Sequence, residues 1–128
     1  MKYSIDKEDR YAIFKLNEEN LNSLIAPDLK SEFIFLRNEG VRNLILDLGQ
    51  VKYVDSSGLS SILTANRLWK DFGSFIVTGV QHAPVQKLIT ISRLESILTI
   101  VPTVKESIEY AMMEDLQNEL EGGAEIEE

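Results

Sequence analysis

The amino-acid sequence predicts a single α/β domain, in which a mixed central β-sheet is flanked by helices in the order β-β-α-β-α-β-α-β-α. Two observations predict this class. The 128 residues leave room for one ordinary domain, and short apolar runs alternate with segments of helical periodicity after an N-terminal hairpin. Because crossovers between strands are right-handed, the alternating strands should be parallel, and the hairpin should add one antiparallel pair.

Two short strands and a helix form the first part of the chain. Residues 2–7 alternate between apolar and polar side chains, and a second run at 10–16 follows a short charged turn, which predicts a hairpin. Residues 17–25 are rich in asparagine and glutamate and are expected to be irregular. Pro27 suits a first helical turn, and apolar residues three and four apart continue this helix until Gly40 ends it.

Strands and helices alternate in the rest of the chain. The continuous apolar run from Leu44 to Leu46 predicts a central strand that is covered on both faces. The predicted elements are a strand at 41–48, a helix from Asp55 to Gly73, a strand at 74–80, a helix at 83–92, a strand at 97–101 and a helix after Thr103.

The last helix is expected to face inward through apolar residues that end with Leu116. Residues 114–128 contain acidic residues and no basic one, and the segment from 119 onward has few apolar side chains. Such a segment cannot bury enough surface to order itself. We therefore expect one domain at residues 1–118 and an acidic, disordered C-terminal tail at residues 119–128.

Composition and charge exclude several classes of function. The net charge is −8, and no basic surface suited to nucleic acid or anionic lipid is evident. The absence of cysteine excludes disulfides, a thiolate nucleophile and cysteine-based metal sites. No apolar run approaches the roughly 18 residues that span a bilayer, so membrane insertion is not expected. The N-terminal segment lacks the apolar stretch of a secretory signal, which predicts a cytoplasmic location.

The segment YVDSSGLSSIL, residues 53–63, places Asp55, two serines and Gly58 where a buried strand meets an amphipathic helix. In open α/β sheets, binding sites collect at the edge where the strands end and the following helices begin. Asp55, Ser56 and Ser57 are all good N-cap residues, so simple capping is one interpretation. In the other, one serine accepts a phosphate, which adds a charge of about −1.5 to −2 that a helix N-terminus tolerates. A partner docked on this helix would then meet a dianion, so the switch would act on binding and leave folding intact.

Enzymatic interpretations have weaker support in the sequence. A hydrolase triad would need His82, the only histidine, yet no G-x-S-x-G segment surrounds either serine. The phosphate-binding pattern GxxxxGK[ST] does not occur. A phospho-aspartate receiver would need an acidic cluster near Asp47 to hold Mg²⁺, and none is evident. No cofactor and no metal site are predicted.

Residues 43–63, NLILDLGQVKYVDSSGLSSIL, resemble the signature of STAS domains, most closely that of bacterial anti-sigma factor antagonists. The shared pattern is an apolar strand that ends in Asp-Leu, followed by a short connection and Val-Asp-Ser-Ser-Gly-Leu. Residues 75–98 are similar to the family's next strand, its proline-containing loop and its short helix. The resemblance spans roughly residues 2–116 and implies a single STAS-like domain.

This resemblance implies a binding protein and not an enzyme. Such proteins bind a kinase-type anti-sigma factor and thereby release a sigma factor, which regulates transcription indirectly. The anti-sigma factor serine kinase phosphorylates the serine that follows the aspartate, which is Ser56 by position, with Ser57 as the second choice. Phosphorylation releases the partner, and a protein phosphatase resets the switch.

The resemblance also implies where the partner binds. Many family members carry a Gly-Glu-Leu-Asp-like turn after the second strand, whose acidic residue lies at the kinase-facing surface. Here the glycine is absent and Asn22 aligns with the aspartate. Ser60 and Ser61 are expected to be exposed, because the apolar stripe lies elsewhere on the helix. The predicted partner-binding residues are Asn22, Asp55, Ser57, Gly58, Leu59, Ser60 and Ser61.

A second function stays open at this stage. Stand-alone STAS domains also resemble subunits of membrane transporter complexes or other signalling complexes. The same helix would then be a constitutive docking face without phosphorylation. The serine pair favours the switch, whereas Asn22 favours the binding subunit.

Overall fold

The computed structural model describes residues 1–127, with side chains described for residues 1–122. It confirms the predicted α/β class, with four α-helices and a mixed five-stranded sheet. Its elements are β1 (Tyr3–Lys7), β2 (Ala12–Leu16), β3 (Asn20–Leu21), α1 (Ala26–Asn38), β4 (Asn43–Asp47), β5 (Tyr53–Val54), α2 (Ser56–Trp69), β6 (Ser74–Thr78), α3 (Ala83–Ile91), a 3₁₀ turn (Leu94–Ser96), β7 (Thr99–Val101) and α4 (Val104–Glu127).

The main sheet has the strand order β1-β2-β4-β6-β7. The β1 and β2 strands form the predicted antiparallel hairpin, in which Tyr3 pairs with Leu16. All other neighbours are parallel, and Leu46 of β4 lies between Phe14 of β2 and Val77 of β6. The central position of β4 explains why its side chains are apolar on both faces. The parallel strands β4 and β6 therefore end at one common edge of the sheet.

Helices α1, α2 and α3 cover one face of the sheet. Aromatic rings connect these layers, with 5.7 Å between the ring centroids of Phe14 and Phe33 and 6.1 Å between those of Phe33 and Phe75. Trp69 at the end of α2 is buried against Phe75, and its indole N–H donates to the carbonyl oxygen of Val41 at 2.9 Å. This core fixes the orientation of α2 relative to the sheet.

Helix α4 covers the other face, where Ala111 packs against Ile45 and Ile76. A buried polar contact adds to this packing. The side-chain amide of Asn43 donates to the carbonyl oxygen of Arg10 at 2.7 Å and to Oδ2 of Asp115 at 3.0 Å. The α4 helix is thus attached by a small apolar contact and a specific hydrogen-bonded group.

Two parts of the sequence-based description are wrong. Residues 17–25 are not wholly irregular, because β3 pairs in parallel with β5 as a separate two-stranded ribbon. Two-residue strands are too short to show a period, so their pairing depends on tertiary contacts. Leu116 does not face inward: it is 51% exposed. Asp115 takes the inward position instead, one turn after Ala111, because Asn43 binds its carboxylate.

The predicted tail also differs from the structure. Helix α4 continues past residue 118 to Glu127, although the acidic composition predicts disorder from residue 119. Glu119, Leu120 and Glu121 are good helix formers, so a helix already started by packing can extend through them. Glu128 and the side chains from residue 123 lie outside the described residues. The domain boundary at residue 118 stays a prediction. No helix in the described part of the chain has both the length and the apolar character to cross a membrane.

Candidate functional site

Asp55 caps the N-terminus of α2. Its backbone is extended, with φ −94° and ψ −175°, and its Oδ1 accepts a hydrogen bond from the backbone N–H of Gly58 at 2.8 Å. Its carbonyl oxygen accepts the N–H of Leu59 at 2.9 Å, which starts the helix. The capping interpretation of Asp55 is therefore confirmed. The cap holds a carboxylate in a defined position directly before Ser56.

The two serines that follow differ in accessibility. Ser56 is the first residue of α2 and is exposed, whereas Ser57 is half-buried. Both line an open groove of about 390 Å³ between the starts of α1 and α2. Lys30 of α1 is the one charged residue among the described residues of this lining. The groove is lined by Ser23, Ala26, Pro27, Lys30, Ser56, Ser57 and Ser60.

Gly58 is predicted to contact the partner, but it is buried and therefore not available for this contact. A Cβ atom at this position would overlap the carbonyl oxygen of Leu21 and lie 2.7 Å from its Cγ. The same carbonyl oxygen accepts the N–H of Asp55 at 3.1 Å. Gly58 is therefore required because β3 passes directly over the first turn of α2. The role predicted for Gly58 is corrected from partner contact to close packing.

Ser61 is also buried, so its predicted exposure is wrong. Its hydroxyl donates to the carbonyl oxygen of Gly58 at 2.6 Å. The signal was present in the sequence, because Ser61 stands three residues after Gly58 and four before the buried Ala65. A serine hydroxyl that binds the preceding turn is compatible with an inward position.

Ser60 and Leu59 are half-buried and contribute differently to this surface. The Ser60 hydroxyl accepts a hydrogen bond from Nζ of Lys30 at 3.3 Å, which joins α1 to α2. Leu59 packs against the main core. The accessible side of the first two turns of α2 is therefore formed by Asp55, Ser56, Ser57 and Ser60.

Asn22 shapes the neighbouring turn. Its side-chain Oδ1 accepts the N–H of Leu24 at 3.0 Å, and its carbonyl oxygen accepts the N–H of Ala26 at 2.8 Å. Because Leu21 pairs with Val54, the Asn22 turn lies beside the start of α2 as predicted. Leu24 is exposed on this turn, and Tyr53 of β5 is exposed nearby in the ribbon. Sequence reasoning missed both, since single exposed apolar residues have no distinctive pattern.

His82 and Asp47 belong to a different loop cluster. A ring nitrogen of His82 lies 3.2 Å from the carbonyl oxygen of Gly49, and Asp47 Oδ1 accepts the N–H of Gly49 at 2.8 Å. Neither residue lines the groove that contains Ser56. Within residues 1–122, no group of three histidine or carboxylate side chains is placed to hold a metal ion. The geometry thus gives Ser56 neither a histidine base nor a metal partner.

A family model for the STAS domain matches residues 2–107. The chain belongs to the STAS domain family. Its STAS fold is similar to that of an anti-sigma factor antagonist from Mycobacterium paratuberculosis, at 15% identity and a TM-score of 0.79, over 87% of this chain and 93% of that chain. The predicted family is therefore confirmed.

Two further solved structures share this STAS fold. The Bacillus anti-sigma factor antagonist SpoIIAA, in its unphosphorylated form, has 18% identity and a TM-score of 0.71, over 85% of this chain and 95% of that chain. A sulfate transporter family protein from Wolinella succinogenes has 16% identity and a TM-score of 0.65, over 79% of this chain and 84% of that chain. At such identities the likeness establishes the fold alone.

Proposed function

We propose that this STAS protein is an anti-sigma factor antagonist that binds a kinase-type anti-sigma factor and is switched off by phosphorylation of Ser56. The observation that carries the proposal is the exposed Ser56 hydroxyl at the first position of α2, directly after the capping Asp55. Further support comes from SpoIIAA, an anti-sigma factor antagonist with a solved phosphorylated form. The protein acts by binding and has no catalytic role of its own.

Accessibility favours Ser56 over Ser57 as the modified residue. A kinase must bring the hydroxyl to the γ-phosphate of ATP, which requires an exposed side chain. Ser56 is exposed, whereas Ser57 is half-buried in the groove wall. Ser57 then shapes the surface around the modified residue, and Asp55 supplies the flanking negative charge.

The electrostatics around Ser56 suit a switch that leaves the fold intact. The first backbone N–H groups of a helix and its dipole stabilise a phosphate. Lys30 adds a positive charge near Ser60, which stands one turn after Ser56 on the same side of α2. The phosphate would therefore be tolerated locally. Its charge of about −1.5 to −2 would repel an acidic partner surface, and its desolvation would disfavour contact with an apolar one.

The proposed partner-binding surface combines α2 with the Asn22 turn. Its polar part comprises Asp55, Ser57 and Ser60, and Leu59 lies at its inner border. The exposed Leu24 and Tyr53 provide large apolar side chains at its sides. Aromatic and apolar anchors surrounded by polar residues are typical of protein interfaces. The proposed partners are the anti-sigma factor kinase and a protein phosphatase, and the proposed location is the cytoplasm.

Mass spectrometry of protein purified from its native cells tests the modification. We expect a phosphatase-sensitive phosphate that peptide mapping assigns to Ser56. A phosphate on Ser57 would overturn the choice of residue but not the switch. Unmodified protein under every growth condition would contradict the switch itself.

Binding measurements with the anti-sigma factor test the consequence of the charge. Ser56→Ala should bind like the unmodified protein, and Ser56→Asp should bind about tenfold or more weakly, because the added charge meets the partner surface. Ser92→Asp, an exposed serine at the end of α3, is the matched control and should bind normally. Equal affinities for Ser56→Ala and Ser56→Asp would contradict the proposal.

A second candidate function is a constitutive binding subunit of a membrane transporter or another signalling complex. The observation that favours it is Asn22, whose side-chain oxygen is engaged in its own turn and carries no charge for a kinase. The similar fold of the Wolinella succinogenes transporter-family protein is consistent with it. Under this alternative, Ser56→Asp would leave partner binding unchanged, and Asn22→Asp would not increase phosphorylation by a kinase.

A further inference from the structure

The middle of α4, residues 110–120, has apolar residues outside the helix face that is buried on the sheet. We call this the outer stripe; its residues recur at intervals of three and four, which puts them on one helix face. The opposite face is the docked one, where Ser107, Ala111 and Asp115 are buried. The outer stripe consists of Tyr110, Met113, Leu116 and Leu120, which are 38%, 66%, 51% and 67% exposed.

The packing of α4 on the sheet does not require the apolar residues of the outer stripe. A surface helix needs one apolar face toward the core and a polar face toward water. Met113, Leu116 and Leu120 stand at positions i, i+3 and i+7, the spacing with which one helix packs along another. Three such residues in a row form a continuous seam, whereas isolated exposed apolar residues need no explanation.

The charges that α4 itself carries around the outer stripe are of one sign. From residue 106 to residue 128 the sequence contains acidic residues and no basic one. Glu109 lies on the stripe face one turn before Met113, and Glu114 and Glu121 share one flank of the helix. Glu119 lies on the other flank, where it forms an ion pair of 3.1 Å with Arg10.

We propose that the outer stripe of α4 binds a basic amphipathic helix of another protein. The apolar residues of that helix would pack along Met113, Leu116 and Leu120, while its lysines or arginines would face the acidic flank. A second copy of α4 on the same stripe would set acid against acid, and an anionic lipid surface would be repelled in the same way. Charge complementarity therefore selects a basic partner.

This surface is separate from the Ser56 site. Asp115 of α4 binds Asn43 at the beginning of β4, whereas Ser56 lies near the edge where the strands end. The α4 helix also packs on the opposite face of the sheet from α2. The inference thus does not depend on phosphorylation, and the two sites could be occupied at once.

A designed peptide provides the direct test. The probe is a fluorescently labelled 18-residue amphipathic helix of leucine and lysine, and its binding to the full-length protein is measured by anisotropy at several salt concentrations. The variant Met113→Gln/Leu116→Gln/Leu120→Gln should bind at least about tenfold more weakly, since glutamine preserves helix propensity but removes the seam. A peptide with glutamate in place of lysine should not bind.

Two matched controls separate the stripe from general effects. Ile34→Gln/Phe35→Gln removes exposed apolar residues of α1 and should bind the probe normally. Glu109→Gln/Glu114→Gln/Glu121→Gln should weaken binding and reduce its salt dependence. Glu8→Gln/Asp28→Asn/Glu95→Gln removes the same charge elsewhere and should have a smaller effect. Circular dichroism confirms that each variant is folded.

Three results would overturn the proposal. One is equal binding by the wild type and the stripe variant. Another is an equal loss in the two triple charge variants, which would indicate general attraction to an acidic protein. The third is sedimentation of the wild type as a dimer that the stripe variant abolishes, because the occupant would then be a second copy.

Discussion

The first turn of α2 and the middle of α4 are both helical segments at the surface, yet different interactions hold them. At α2, the backbone of Leu21 lies directly against Gly58, and the Asp55 side chain closes the helix end. At α4, Ala111 packs against Ile45 and Ile76, and the side chain of Asn43 binds Asp115. The stability of the protein should therefore be sensitive to added side-chain volume at the start of α2. At α4, it should be sensitive to the loss of hydrogen bonds.

The largest expected effect is on the packing of α2. Gly58→Val should lower the free energy of unfolding by about 3 kcal/mol, because its side chain must displace the Leu21 backbone. Urea denaturation measures the loss. Gly122→Ala is the control, since nothing lies within 4 Å of its added Cβ, and it should stabilise α4 by up to about 1 kcal/mol. A Gly58→Val protein of normal stability would show that β3 does not hold the start of α2.

The attachment of α4 gives the next largest effect. Asn43→Ala leaves the buried Asp115 carboxylate without its amide donor and should cost about 2 kcal/mol in urea denaturation. Asn118→Ala, at an exposed position of the same helix, should change stability by less than about 0.5 kcal/mol. Similar losses in both variants would mean that the Asn43 contact does not anchor α4.

Removal of the α2 cap should have a moderate effect. Asp55→Ala loses the acceptor for the Gly58 N–H and should cost about 1 kcal/mol. Asp55→Asn keeps a capping oxygen and should lose clearly less. Thermal unfolding of the two variants separates the hydrogen bond from the charge. If both lost the same amount, the negative charge and not the cap would be the stabilising feature.

Truncation at residue 118 should have the smallest effect. Deleting residues 119–128 removes the ion pair between Arg10 and Glu119, whose side chains are 55% and 61% exposed. Exposed pairs contribute about 0–1 kcal/mol, so the melting temperature should change little. A loss above about 2 kcal/mol would place the domain boundary beyond residue 118.

The sequence was informative where one physical rule decided the structure. The apolar run around Leu46 predicted a central strand, and Asp55 followed by Gly58 predicted a capped helix at the sheet edge, both as observed. The errors have separate causes. Ser61 can be buried because its hydroxyl donates a hydrogen bond to the carbonyl oxygen of Gly58 in the preceding turn. Leu116 is exposed because Asp115 takes the inward position, where Asn43 donates a hydrogen bond to its carboxylate. No local sequence pattern indicates this contact.

The position of Trp69 has a practical consequence for spectroscopy. It is the only tryptophan in the chain and is 1% exposed, with its indole N–H bonded to Val41. Its emission should therefore be blue-shifted in the native protein and move to longer wavelength when the α1–α2 core opens to water. The Ser56 hydroxyl lies apart from Trp69, whereas Tyr110 of the outer stripe lines the same surface cavity as Trp69. Intrinsic fluorescence thus follows unfolding, and binding at the Ser56 surface can be followed separately with an external dye.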